Sequence, residues 1–590
     1  MTRRLTHRYR GAWVLVAFFS TACASAEPLP NIQLFDANTV DAITQTTGER
    51  VDVSVSGNYL ASRHAEAKRD LSNAANYLKM VLESDSENTS LLRRTIMVMV
   101  IDGKVSEAAV LAEKLIGLGD NFQLAHMILV VRAIKNNQLD SAENYLGAMS
   151  NGGVATVIKP LVRAWMLAGQ GRTDDALIAL SALDDNKGAM TIGMLHKALI
   201  NELNGRFIAA EAAYRQTISD LKTFSLRQVE MLGALLVRAG KSAEARSLYD
   251  DYLERYPGSQ LLGPSIKQLE PGSEPRSIVT TPAEGIAEAI FGIANSLRLS
   301  TNRDSSLAFS NMALHLRSEF PINRMLLGDL YEAEGQLEKA NGVYAGIRDD
   351  SPFSWSARMR MANNLNQMER TDEAVTILKI LGANFLDRPD PYITLGDILR
   401  GHERYAESVE AYNKAFARID KPEAGYWSLH YSRGIALERL HRWELAEKDF
   451  LAALELQPKQ PYVLNYLGYS WVDQGLNIKR ATGMIKMAVD LRPNDGFIVD
   501  SLGWAYFRQG NFRGATEELE RAAELQPEDP IINDHLGDAY WKVSRRKEAR
   551  FQWLRALSLD PTNESRARIE DKLEHGLVDG QAKAPATTDE

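Results

Sequence analysis

The chain has 590 residues, 45% of them hydrophobic and 25% charged, with 68 basic against 77 acidic side chains and a net charge of -9. That length is far beyond a single-core domain of roughly 100 to 200 residues, so the chain holds several domains or a repeat array. The composition is that of a globular chain, and the acidic balance excludes a broad nucleic-acid footprint.

Arg3, Arg4, Arg8 and Arg10 precede a short apolar run, Gly11 to Ser20, which is followed by small residues. This pattern predicts a cleaved export signal over 1–26, too short to span a bilayer. Thr6 and His7 stand where a twin-arginine signal wants apolar residues, so Sec export is expected. Cys23 is the sole cysteine. Ser20-Thr21-Ala22-Cys23 resembles a bacterial lipobox, in which the cysteine is lipidated and becomes the new N-terminus. Cleavage after Ala26, behind Ala24-Ser25-Ala26, is the alternative. In both cases the mature chain has no disulfide, and its stability must come from packing. Residues 27–56 read as a polar lead-in.

From residue 57 a period emerges. Ser62, Ile96, Val130, Ala164, Ala198 and Gly233 recur at intervals of 34 or 35, in step with Ala74, Ala108, Ala142, Ala176, Ala210 and Ala245. This series predicts six degenerate helix pairs over 57–257. Two first helices, around TIMVMVI (95–101) and MILVVRAI (127–134), are apolar around most of their circumference, which places each against more than one neighbour. Packing within the solenoid is the preferred reading. An interface with a partner or a second copy, giving a homo-oligomer through this half, is the alternative.

Residues 258–282 carry the excess over the period and are rich in Pro and Gly, which reads as a connector between two halves. Beyond it, over 283–575, Ala294, Gly328, Ala362, Gly396, Gly434, Gly468, Gly503 and Gly537 continue the series. The motif is plainest in SLGWAYFRQGNFRGATEELERAAELQPEDP (501–530). Leu502, Gly503, Tyr506, Ala515, Leu519, Ala522 and Pro527 return 34 residues later as Leu536, Gly537, Tyr540, Ala549, Trp553, Ala556 and Pro561. The glycine stripe of one helix lets a second helix approach, Gln509-Gly510-Asn511 makes the turn, and Pro527 ends the unit. No unit buries both faces alone, so the units must stack. Residues 576–590 are expected to be a disordered tail.

This spacing resembles the 34-residue tetratricopeptide repeat, with Val499 and Asn533 where the family's first Trp stands. The resemblance implies an all-α fold, an α-α superhelix in two halves joined by the Pro/Gly-rich connector. It also implies that a stripe on the first helices lines a groove for extended peptides or partner helices. By offsets of 3, 4 and 4 residues that stripe comprises Phe497, Asp500, Trp504 and Arg508. Its equivalents are Tyr462, Asn465 and Tyr469 one unit earlier, Tyr431 two units earlier, and Asp534 and Asp538 one unit later. Aromatic rings framed by polar groups suit peptide binding, although some could be core. The stripe lacks the Lys, Asn and Arg set of a two-carboxylate clamp.

Catalytic readings fail. Gly240-Lys241-Ser242 lacks the leading glycine of a phosphate loop, Gly169-x-Gly171 ends in Asp174 where a dinucleotide fingerprint needs Gly, and the ten histidines form no zinc motif. No enzyme activity, cofactor or metal is expected. With its export signal and lipobox, the chain resembles the large tetratricopeptide lipoproteins of Gram-negative envelopes. That resemblance implies a non-catalytic adaptor, anchored to the outer membrane through Cys23 or else soluble in the periplasm. Such an adaptor holds a periplasmic protease or cell-wall hydrolase in one groove and its client in another. The alternative is a structural component of a polysaccharide export or outer-membrane assembly apparatus.

Overall fold

The computed structural model describes residues 54–577, apart from 186–188, 222–224, 257–258, 260, 271–272, 274–276, 299–302 and 422. The export signal, Cys23, residues 27–53 of the lead-in and residues 578–590 of the tail lie outside the described residues.

Among the described residues there are 30 α-helices, two short 3-10 helices and no strand. The chain divides into two compact units, with the boundary after Ser86. In the first, Val55–Ala67 and Leu71–Ser84 form a helix pair. Ser54 and Asp70 cap their starts, accepting from the backbone N–H of Gly57 and Asn73, which satisfies donors that a helix start leaves open. Helix therefore begins two residues inside the expected lead-in.

The second unit repeats the pair thirteen times, from Thr89–Ile101 with Val105–Gly117 to Pro530–Lys542 with Arg546–Ser558, and ends on the single helix Asn563–His575. All the small residues of the periodic series fall in first helices, and the matching alanines fall in second helices and are fully buried. In two units a serine replaces that alanine. Ser306 and Ser408 donate their hydroxyls to the carbonyls of Ala294 and Gly396 on the facing helix, at 2.7 and 2.8 Å. A small polar side chain is thus accommodated at a buried contact.

In the thirteen pairs whose turn lies wholly among the described residues, a residue in the left-handed region makes the turn, and beside Gly475 Asn477 adopts it as well. The series runs Arg69, Gly103, Asn137, Gly171, Gly205 and Gly240, then Gly335, Glu369, Glu403, His441, Gly475, Gly510 and Ser544. Glycine takes this conformation freely, and six of these thirteen positions are not glycine.

Within the second unit the chain returns on itself. Helices Pro282–Arg298 and Arg303–Leu316 pack on the first helices Thr89–Ile101, Gln123–Lys135, Ala155–Gly169 and Met190–Leu203. The Asn311 amide donates to the carbonyls of Val100 and Ile101 at 3.1 and 2.9 Å, and Lys339 pairs with Asp102 at 2.6 Å. A Cβ on Gly285 would lie 2.3 Å from the Trp165 ring. This return accounts for the two all-round apolar stretches: Ile96, Val98 to Ile101, and Met127 to Val131 are buried within the single chain. The homo-oligomer alternative therefore loses its surface here, since this chain already covers those residues.

Among its described residues the connector contains a five-residue helix, Gly263–Lys267, and Val279 beyond it is buried. Ser277 donates to Glu202 at 2.6 Å, where Tyr214 and Arg238 also converge. A carboxylate taken out of water is tolerated there because three donors satisfy it. At the far end, Gly576 and Leu577 are not tail: Leu577 is buried in the hydrophobic core that includes Trp553 and Ile569.

Candidate functional site

One cavity of about 610 Å³ is bordered mainly by four helices of the C-terminal end, with Glu438 of Trp427–Arg439 at its edge. The four are Pro461–Gln474, Gly496–Arg508, Pro530–Lys542 and the terminal Asn563–His575. The first three are successive first helices, so the 34-residue period brings equivalent faces to the same hollow. Six of the ten stripe residues expected from the sequence line it: Tyr462, Asn465, Tyr469, Phe497, Asp500 and Asp534.

Its two most open rings are Tyr462 and Phe497, 41% and 40% exposed. They occupy equivalent positions at the starts of consecutive first helices. Beneath them Tyr469 is enclosed, and burial, followed by the charges of Asp500 and Asp473, pushes its hydroxyl well above the ordinary tyrosine range. Tyr466 donates to Glu438 at 3.2 Å.

The rim nearest Phe497 consists of helix starts. Asp495 and Asp529 cap Gly496–Arg508 and Pro530–Lys542 by accepting from the N–H groups of Ile498 and Ile532, at 3.3 and 2.8 Å. Burial raises the carboxyl of Asp529, and Asp500 adds to the effect.

Four expected stripe residues do not line the cavity. Trp504 is 1% exposed: its ring stacks on Phe507 at 5.0 Å and under His535 of the next first helix at 4.2 Å. It is core rather than contact surface, because the neighbouring helix covers that part of the stripe. Asp538 is likewise covered, holding Lys572 at 2.8 Å and accepting from Trp553 Nε1 at 3.0 Å. Burial raises its carboxyl to about 6 despite the lysine. Arg508 turns away to Asp473, 3.5 Å from its carboxylate. Tyr431 packs among Trp427, Phe450 and Tyr466, with ring centroids 6.2, 6.1 and 5.9 Å away.

Of the acids that remain, Asp500 lies 3.0 Å from His535 Nδ1 and Asp534 lies 2.8 Å from Lys572 Nζ. For His535, burial favours the neutral ring, but Asp500, Asp534 and Asp538 outweigh it and the net shift is upward. The stripe argument missed the terminal helix, which contributes Ser565 and Ile569 to the lining and Lys572 to the ion cluster. Its sequence, NESRARIEDKLEH, carries no repeat motif. The signal that could have found it is local, an N-cap Thr562 before an amphipathic turn with Ile569 and Leu573 four apart.

Among the described residues no group of three or more His, Cys, Asp or Glu could hold a metal ion, and no helix is long and apolar enough to cross a membrane.

Comparison with known proteins follows the same residues. Tetratricopeptide-repeat models match residues 393–461 and 501–564, and a second such model matches 231–259. The TPR repeat-containing protein PA4667 of Pseudomonas aeruginosa is 28% identical over 193 residues, which cover 32% of this chain and 31% of that protein. The alignment therefore spans about a third of the relative's length. Among solved structures, yeast Tom70 aligns over 88% of this chain and 95% of its own at 14% identity, with a TM-score of 0.31. Pseudomonas aeruginosa PilF aligns over 32% and 91% at 18% identity, with a TM-score of 0.27. Family models and repeat spacing agree that the chain carries tetratricopeptide repeats.

Proposed function

We propose that the chain is a non-catalytic protein-protein interaction scaffold whose C-terminal units take up a segment of a partner protein in the cavity beneath Tyr462 and Phe497. The observation that carries this reading is the exposure of those two rings, at equivalent positions over a cavity of about 610 Å³. Large aromatic side chains are ordinarily enclosed, and rigid rings beside backbone-sized hollows are the usual anchors of a protein contact. Repeat scaffolds present such surfaces along successive units.

The scaffold acts in the bacterial envelope, exported by residues 1–26 and tethered through a lipid on Cys23. Support comes from the basic n-region and from the position of the sole cysteine at the end of the apolar run. Its partner is a periplasmic protease or wall hydrolase. Helices Pro282–Arg298 and Arg303–Leu316 pack on four first helices of the N-terminal half, so the partner's segment is assigned to the C-terminal groove.

The test is capture of the full chain from crosslinked envelopes, alongside Tyr462→Ala/Phe497→Ala and Cys23→Ser. A protease or hydrolase retained by wild type and lost in the aromatic variant is expected, with Cys23→Ser moving to the soluble fraction. Export or assembly components held equally by both proteins would contradict the groove and favour a structural subunit.

A further inference from the structure

The chemistry of the cavity wall narrows its occupant, on the reading that this cavity is the binding groove. Among the described residues seven carboxylates border it, and no lysine, arginine or histidine does. Four of the seven have a cation beside them from outside the cavity: Asp500 and Asp534 are held by His535 and Lys572, Glu438 lies 3.8 Å from Arg439 and Asp560 lies 3.1 Å from Arg566. Asp495 and Asp529, by contrast, accept from backbone N–H groups, so their charge meets helix dipoles and not a cation. Asp473 has only the 3.5 Å approach of Arg508. The guanidinium of Arg492 lies 5.4 Å from the Tyr462 ring and does not border the cavity.

A second observation is independent of the acids. The part-buried Asn465 borders the cavity, and its Oδ1 has no hydrogen-bond partner among the described residues, so the wall has one more acceptor whose need for a donor is unmet. The third is the pair of open rings, which offer a cation a π face as well as apolar area. Every wanting feature of the wall is therefore an acceptor, a negative charge or an aromatic face.

We infer that the groove takes a cationic segment of a partner protein, an extended stretch presenting lysine or arginine beside an apolar side chain. The basic group lies between the Asp495/Asp529 rim and Asp473, and its apolar neighbour lies against Tyr462 and Phe497.

The test uses the full chain and three fluorescein-labelled peptides of equal length, alternating Leu with Lys, Ser or Glu, read by fluorescence anisotropy. The charge variant is Asp495→Asn/Asp529→Asn. Asparagine caps a helix as well as aspartate does, so two charges are removed while the caps stay. The control, Glu517→Gln/Glu524→Gln, makes the same charge change at exposed positions of the second helix Phe512–Leu525.

The Lys peptide should bind about tenfold tighter than the Ser peptide and weaken with added salt. The charge variant should weaken it about three- to tenfold, from two partly exposed pairs. The control should leave it unchanged. Equal affinity for Lys and Glu peptides, or an equal loss in the control, overturns the cationic inference. The groove reading survives that result if Tyr462→Ala/Phe497→Ala still weakens all the peptides that bind. If that aromatic variant changes no affinity, the groove reading itself fails.

Discussion

A Cβ placed on Gly503 would lie 2.5 Å from Leu519 Cγ, 2.9 Å from its Cδ2 and 3.2 Å from its backbone nitrogen. Leu519 is fully buried, so its side chain has no open space to enter, and its backbone cannot retreat without separating the two helices of the unit. Overpacking of this kind costs about 1–3 kcal/mol, and alanine returns about 0.5–1 kcal/mol of helix propensity, so Gly503→Ala should cost up to about 2.5 kcal/mol and not stabilise. Gly483, on the second helix Ile478–Leu491, meets nothing within 4 Å. There the same substitution should stabilise by about 0.5–1 kcal/mol. A solenoid opens by units, so the assay is hydrogen exchange of amides in Gly496–Arg508 and Phe512–Leu525, beside denaturant unfolding. The decisive step is the double-mutant cycle with Leu519→Ala. That change alone should cost about 2–5 kcal/mol, and in its background Gly503→Ala should become neutral or favourable. A Gly503→Ala that stabilises the wild type, or costs the same with and without Leu519, would refute close approach as the reason for the glycine series.

Three further outcomes are expected. The His535 ring is shifted upward in the folded chain by Asp500, so its stabilisation is complete below the unfolded value near 6.5 and is lost as pH rises through the folded one. The stability difference between His535→Gln and wild type should therefore be largest below about pH 6.5 and shrink, as pH rises through the folded value, to the part left by lost packing on Trp504; a difference that does not change with pH would remove the ion pair as a cause. Asn311→Leu should cost about 1–3 kcal/mol and speed amide exchange at Asp102 to Lys104, because two carbonyls lose their buried donor; unaltered exchange there would contradict the return contact. Glu403→Gly should raise stability by about 0.5–1 kcal/mol, since Glu403 holds a φ of 58°, and a loss measured by calorimetry would show that the turn is not strained.

The repeat was legible because its period is carried by a steric need. Only glycine fits where Tyr344, Tyr412, Leu519 or Trp553 crosses the facing helix, so glycine had to recur there at one spacing. The turns were legible at Gly510 and hidden at Glu369, Glu403 and His441, where packing imposes a left-handed conformation on residues that do not announce it. Part of the stripe was legible for the same local reason as the repeat: offsets along one helix place Tyr462, Tyr469 and Phe497 on a common face. Which members stay open was not legible. Trp504 and Asp538 have the same offsets, but His535 and Lys572 from later helices cover them. The return of residues 282–316 was beyond reach for a related reason, since Asn311 meets Val100 across 211 residues. The all-round apolar runs at 95–101 and 127–134 were the hint that something else lay against those helices.

The most direct test of the binding face is a photo-crosslinking residue placed at Phe497 in cells, with a second at Ile380 on Thr371–Asn384 as an exposed apolar control. The groove reading predicts that position 497 gives a discrete adduct with a partner protein, that Asp495→Asn/Asp529→Asn diminishes it, and that position 380 gives none. Adducts from position 380 equal to those from 497, or from 380 alone, would contradict it and move the partner to the outer helices.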